Sequence, residues 1–213
     1  MTVTLVDHMG SDLSVVNAAR VSFAKVHKEF KDVADTKLIN YLAKHNHWSP
    51  FGHASLQFHI NAPVFVARQL VKHQVGLTWN EVSRRYVDIE PEFYAPKVWR
   101  GVAENKKQGS SEEEININPR HDMVDDYQKV LSTAKWTYEE LLRKGVCPEQ
   151  ARMVLPQSMI TEWYWSGTLY AFARVCNLRC KGDAQKETQD VGWNIDKHAR
   201  ELFPASWPAL RDA

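Results

Sequence analysis

The sequence predicts an α+β subunit, a twisted and mainly antiparallel sheet flanked by helices, and three observations lead there. Short stretches such as "TVTLV", "HASLQFHI" and "SMITEWYW" alternate apolar with polar residues or concentrate β-branched and aromatic ones, as strands do. Longer stretches between them repeat apolar residues at a helical period. The chain has 213 residues, 44% apolar and 25% charged, which suits one domain over 1–213 with a buried core.

Taken in order, "TVTLV" is a strand that enters a helix over "DLSVVNAARVSFA", where Leu13, Val16, Ala19 and Phe23 recur near a helical period. Residues 25–34 show no period; Asp35 then serves as a cap for "TKLINYLAKH", with Leu38, Tyr41, Leu42 and His45 on one face. In "HASLQFHI" a strand turns Leu56, Phe58 and Ile60 to one side and His53, Ser55, Gln57 and His59 to the other. Pro63 suits the first turn of a helix through "VFVARQLVKHQV", which Gly76 stops.

Residues 101–119, "GVAENKKQGSSEEEININP", have little to bury and read as a mobile polar excursion, a poor place for catalysis. The longest helix follows over 120–144, from Met123 and Tyr127 to Leu141 and Leu142, and Gly145 ends it. Pro148 opens a short helix through "EQARMVL" that Pro156 closes, and "SMITEWYW" is a strand. Ser166 is placed to cap "GTLYAFARVCNLR", and a last amphipathic helix runs from about Asp183 towards Phe203, anchored by Val191, Ile195 and Leu202.

Composition removes several classes of function. Lys+Arg 27 against Asp+Glu 26 leaves a net charge of +1, so no overall basic field draws the chain to nucleic acid. The rival from that class is a module using Arg84, Arg85 and Trp79 for phosphate contact and stacking. Cys147, Cys176 and Cys180 are odd in number and lack zinc-ligand spacing, which favours a reducing compartment, the cytoplasm, and no metal. No run approaches the roughly 20 apolar residues that span a bilayer, so neither export nor a membrane partner is expected. Eight tryptophans and seven tyrosines exceed what packing needs and suit flat ligands or broad interfaces.

The chemistry-bearing groups gather in "KHQVGLTWNEVSRRYV", residues 72–87. At helical spacing Arg68 pairs with Lys72 and Gln69 with His73; if the chain then runs extended, Glu81, Ser83 and Arg85 share a face, opposite Arg84 and Tyr86. Guanidinium forks with neutral donors suit a phosphorylated ligand. Spacing alone equally fits a solvated charged strand.

Lys72-His73-Gln74 followed by "NEVSRRY" resembles the signature of flavin-dependent thymidylate synthases, in which Arg-His-Arg precedes a serine by seven residues. Here lysine and glutamine replace two arginines and eight residues separate Gln74 from Ser83, an insertion of one near Val75 or Gly76. "DHMGSDLSVVNAARVSF", "SPFGHASLQFHINAPVFVARQLVKHQ", "EQARMVLP" and "NLRCKGDAQKE" also resemble family segments in family order, which is more specific than one degenerate motif.

The resemblance implies an enzyme that moves a methylene group from methylenetetrahydrofolate to dUMP, with NADPH-reduced FAD as hydride source, giving dTMP without a cysteine nucleophile. It implies FAD contacts from His53, Ser55, Lys72, His73, Gln74, Glu81 and Arg174, and dUMP contacts from Gln69, Lys72, Glu81, Ser83, Arg84, Arg85 and Arg152. Arg179, in "NLRC", is implied to lie against the uracil ring as the catalytic residue, since a fixed guanidinium stabilises negative charge developing on that ring. A homotetramer with sites between subunits is implied as well.

Thr168, Tyr170 and Arg174 stand where the family carries asparagine or arginine groups around the flavin; as plain sequence Arg174 reads as a snorkelling surface residue. A changed acceptor or one-carbon donor is the second enzyme reading. "HNH" at 45–47 lacks the dispersed ligands of a nuclease, Cys176 and Cys180 read as buried thiols, and His53 alone reads as a half-buried strand histidine.

Overall fold

A computed structural model describes residues 1–104, 109–115 and 123–211. The elements are β1 (Thr2–Met9), α1 (Asp12–Arg20), α2 (Asp32–Lys44), β2 (Ser55–Pro63), α3 (Val64–Leu70), β3 (Leu77–Glu81), β4 (Arg100–Val102) and β5 (Ser110–Glu114). They continue with α4 (Met123–Arg143), α5 (Pro148–Ala151), β6 (Ile160–Thr168), α6 (Leu169–Arg179), α7 (Lys186–Leu202) and α8 (Ser206–Arg211).

Four strands form a sheet in the order β1-β2-β6-β3, and every pairing is antiparallel. Alternation sends Leu56, Phe58, Ile60 and Ala62 of β2 to one face with Trp163 and Trp165 of β6, all buried. Phe172 of α6 meets Phe58 and Trp165 edge-on, each with centroids 5.2 Å apart, while Trp79 stacks on Trp163 at 4.4 Å. Helix α7 adds Val191, Ile195 and Ala199 from a single stripe. Each such large side chain contributes about 2 kcal/mol through the surface it removes from water. The opposite face stays polar, with Gln57 donating to Ser166 Oγ at 2.8 Å and His59 beside Glu162 at 3.3 Å.

The α+β class and the antiparallel sheet follow the sequence expectation, but several local features differ. Helix α2 begins three residues before Asp35, so Asp35 is no cap; it is buried and accepts from Arg20 at 2.8 Å, His27 at 3.1 Å and the Lys31 backbone at 2.8 Å. Burial alone would raise its pKa, yet those hydrogen bonds and the His27 charge prevail and lower it to about 2. Ser166 does not cap α6, because β6 runs on through Gly167 opposite Leu56 and Leu77; Thr168 accepts from the Ala171 backbone instead, at 3.2 Å.

Part of the polar segment at 101–119 is ordered as strands: β4 and β5 pair antiparallel, and Arg100 donates to Ser110 at 2.7 Å and to Glu187 at 2.6 Å. The rest of that expectation, at 105–108 and 116–119, lies outside the described residues, as do residues 120–122 of the predicted long helix. The tail forms α8, tied down by Asp12, which accepts from the Ala205 and Ser206 backbones at 2.8 Å each. Among the described residues no helix is long and apolar enough to cross a membrane.

Candidate active site

The site is built where the turn after α3 is pressed against the junction of β6 and α6. Gly76 has φ of +76°, its carbonyl accepts from the Thr168 N–H at 3.1 Å, and an added Cβ would stand 3.1 Å from that of Ala171. Opposite it, a Cβ on Gly167 would fall 2.5 Å from the Gly76 oxygen, so both positions need glycine for close backbone approach. Helix α3 ends at Leu70, earlier than the predicted run to Val75, and residues 71–76 form the turn that carries Lys72, His73 and Gln74.

This turn delivers His73 to the last residue of α6, where Arg179 Nε donates to His73 Nε2 across 2.9 Å. Burial lowers the His73 pKa, and the charges of Arg179 and Arg174 lower it further, to about 4. The imidazole is therefore neutral near pH 7, and since Nε2 accepts, its proton sits on Nδ1. A guanidinium is aimed and a histidine tautomer is set by one contact.

Arg179 also lines an open pocket of about 540 Å³ with Gln69, Arg100, Ser110, Asp183 and Gln185. Gln69 accepts from Thr188 at 3.2 Å and donates to Gln185, which donates to Glu187 at 3.1 Å. Glu187 also receives Arg100 and, at 3.3 Å, the Tyr94 hydroxyl. Burial opposes the ionised Glu187 carboxylate, but the Arg100 hydrogen bond and charge outweigh it and lower its pKa.

The remaining expected residues fall into two groups. At the Gly167 end of the sheet lie Ser55, paired with Thr168, and His53 just before it; the Ala54 carbonyl between them accepts from the Leu169 N–H at 2.9 Å. His53 ends a 3-10 turn and is exposed, so it is not the half-buried strand residue its parity suggested. Lys72, Gln74 and Arg174 are exposed nearby in sequence and fold, and no carboxylate among the described residues pairs with either cation.

Glu81, Ser83, Arg84 and Arg85 belong to the opposite end. Glu81 pairs with Trp163 whereas Leu77 pairs with Gly167, and a rise of about 3.4 Å per residue puts roughly 14 Å between the two ends of β3. Strand β3 stops at Glu81, and Tyr86 N–H donates to the Ser83 carbonyl at 2.9 Å, so 83–86 turns and the predicted extended face of Glu81, Ser83 and Arg85 does not form. Glu81 accepts from Thr161 at 2.8 Å, and Arg85 reaches Ser83 Oγ at 3.4 Å and lies over the Tyr86 ring. Arg84 is buried, donates to the Ile89 carbonyl and lies 5.8 Å from the Tyr138 ring centroid, which makes it a pin for the loop instead of an open phosphate ligand. Arg152 is exposed after α5, its side chain bonded only to the Glu149 carbonyl at 3.3 Å among the described residues.

Arg100 and Gln185, which line the pocket, and Glu187, which holds both from behind, were not anticipated. Gln185 and Glu187 sit inside the quoted block "NLRCKGDAQKE", so that stretch offered a signal; Arg100 borders a segment whose polarity pointed away from any site. The free thiols differ among themselves: Cys176 is buried, Cys180 half-buried, and Cys147 exposed at the start of α5.

With this geometry in view, comparison with known proteins defines the class. A family model described as thymidylate synthase complementing protein matches residues 4–205. A flavin-dependent thymidylate synthase of Thermus thermophilus is 38% identical over 99% of this chain and 75% of its own length. That of Thermotoga neapolitana is 39% identical over 98% of this chain and 89% of its own. A crystal structure of a UMP/dUMP methylase, PolB, from Streptomyces cacaoi with 5-Br dUMP aligns at a TM-score of 0.88 and 30% identity, covering 99% of this chain and 94% of that one. The chain belongs to the flavin-dependent thymidylate synthase family.

Proposed function

We propose that the protein catalyses reductive methylation of dUMP to dTMP, taking the one-carbon unit from methylenetetrahydrofolate and using NADPH as reductant through FAD. The observation that carries this reading is the Arg179–His73 pair at the rim of a polar pocket that also holds Gln69, on a chain of this family. The donor set suits the flavin: Lys72 and Arg174, exposed and without a carboxylate partner among the described residues, offer charge to a pyrophosphate, and His53, Ser55, the Nδ1–H of His73 and Gln74 offer hydrogen bonds at one end of the sheet. Lysine at 72 keeps the charge but not the planar fork of the usual arginine. When bound, reduced FAD supplies the hydride.

The protein's own part is positioning and electrostatics. Arg179 faces the pocket with its Nε tied to His73, leaving its terminal nitrogens for a pyrimidine ring whose carbon 5 must become nucleophilic. A guanidinium that stabilises anionic charge on that ring removes the need for a cysteine adduct, and exposed Cys147 and buried Cys176 are poorly placed to make one. Methylenetetrahydrofolate, NADPH and a proton are consumed with dUMP, and tetrahydrofolate and NADP⁺ leave with dTMP.

Glu81, Ser83, Arg85 and Arg152 complete the reading through self-association. Glu81, Ser83 and Arg85 lie at the opposite end of β3 from the turn that meets Arg179, so a second copy supplying them to the pocket, with Arg152, is the arrangement that unites the set, in a homotetramer. Three free cysteines suit a reducing cytoplasm. Formation of dTMP from dUMP that requires FAD, NADPH and methylenetetrahydrofolate together tests the proposal. A ribonucleotide acceptor is the second reading, favoured by the relative named for both UMP and dUMP, and incubation with UMP separates the two.

A further inference from the structure

The groups behind Gln69 form a directed chain. Glu187, in the first turn of α7, is buried to 4% exposure, and its two oxygens divide their work: Oε1 accepts from Arg100 and Tyr94, Oε2 from Gln185 Nε2. A carboxylate held ionised by a neighbouring guanidinium has only acceptors to offer. Gln185 must therefore turn its NH₂ towards Glu187 and its carbonyl away. That carbonyl meets Gln69, which must present its own NH₂ and leave its carbonyl to the Thr188 hydroxyl. Rotating either amide by half a turn would set acceptor against acceptor beside the charge, a mismatch in a half-buried network that costs about as much as a hydrogen bond is worth.

Gln69 lines the same pocket as Arg179, with one N–H and one lone pair of its amide left over. Uracil offers an acceptor at position 4 and a donor at N3, whereas cytosine offers a donor at position 4 and an acceptor at N3. An amide whose ends cannot exchange matches one order and opposes the other. We propose that Glu187 is a positioning residue that fixes the donor and acceptor ends of the Gln69 amide through Gln185, and thereby makes the pocket select a uracil nucleotide over its 4-amino counterpart. This rests on the pyrimidine-nucleotide reading of the pocket. Arg100 holds the charge in place from the β4–β5 ribbon, which gives that ribbon a part in recognition.

The test is calorimetric binding of dUMP and of dCMP to the folded, flavin-loaded wild type and to Glu187→Gln and Gln185→Met, each first checked for its thermal transition. The wild type is expected to prefer dUMP by about a hundredfold or more, because a site built around hydrogen bonds rejects a ligand with the wrong pattern strongly. In Glu187→Gln the amide at 187 can accept or donate, Gln185 and Gln69 can turn over together, and the preference narrows about tenfold. Gln185→Met keeps the Glu187–Arg100 pair but breaks the relay, and narrows it likewise. Both nucleotides carry the same phosphate, so a lost charge or a loosened ribbon weakens them equally and leaves the ratio unmoved. An unchanged ratio in either folded variant overturns the proposal, whatever happens to the individual affinities. A wild type that binds dCMP but not dUMP overturns the functional reading itself, and the two failures are thus told apart.

Discussion

Arg179 Nε and His73 Nε2 stand 2.9 Å apart, so the end of α6 and the turn after α3 share one hydrogen bond that both aims the guanidinium and sets the imidazole tautomer. Its first consequence is a pH dependence. The folded pKa of His73, about 4, lies below the ordinary 6.5, so between these values the unfolded chain takes up a proton that the folded one refuses. Stability is then complete above about pH 6.5 and is lost as pH falls through 4. For a half-buried group this amounts to about 1–2 kcal/mol once solvent screening is allowed for. Urea midpoints between pH 7 and 4 should fall more steeply for the wild type than for His73→Asn; parallel curves would show that the imidazole is not held neutral.

Arg179→Ala is expected to lower kcat by at least about a hundredfold, the scale of a lost charge-stabilising donor, while the purified protein keeps most of its flavin. His53→Ala, at the other edge of the site, is expected to release flavin with a smaller effect on the loaded enzyme. Absorbance at the flavin maximum and turnover at saturating cofactor read the two separately. Equal losses of flavin in both variants would remove the division of roles.

The separation of Arg179 from Ser83 and Arg85 within one subunit predicts complementation. Arg179→Ala and Arg85→Ala proteins, each nearly inactive alone, should regain activity when denatured together and refolded, with roughly a quarter of the shared sites intact. Activity no higher than the sum of the separate samples would mean that each site lies within one subunit.

Asp35 carries a second titration, on α2 and outside the residues that line the pocket. Its carboxylate, fully buried with Arg20 and His27, has a pKa of about 2, below the ordinary 3.8, so its contribution is present above pH 3.8 and lost as pH falls through 2. Asp35→Ala leaves the Arg20 guanidinium half-enclosed without its partner and is expected to cost about 3 kcal/mol. The change should appear in the unfolding midpoint at pH 7, with the Michaelis constants little moved.

How much of this was legible follows from which forces are local. Alternation in "HASLQFHI" and the aromatic density of "SMITEWYW" marked β2 and β6, because side-chain period and burial are written in adjacent residues. The end of α3 at Leu70 was not legible: it depends on Gly76 meeting Gly167 and Thr168 some ninety positions later. Asp35 looked like a cap because a capping residue and a buried carboxylate share the same letter, and only Arg20 and His27 decide between them. Arg84 and Arg85 are adjacent and alike in sequence; one is sealed beneath Tyr138 and the other open over Tyr86, a difference made by the turn at 83–86. Arg100 escaped notice since its worth comes from Glu187, brought near by tertiary folding.

The most direct experiment incubates the purified chain with FAD, NADPH, methylenetetrahydrofolate and dUMP tritiated at carbon 5, and counts tritium released to water alongside dTMP formed. Thymidylate synthesis requires both to appear together, to depend on NADPH and to vanish in Arg179→Ala. A folded, flavin-bound protein that releases no tritium and forms no dTMP contradicts it.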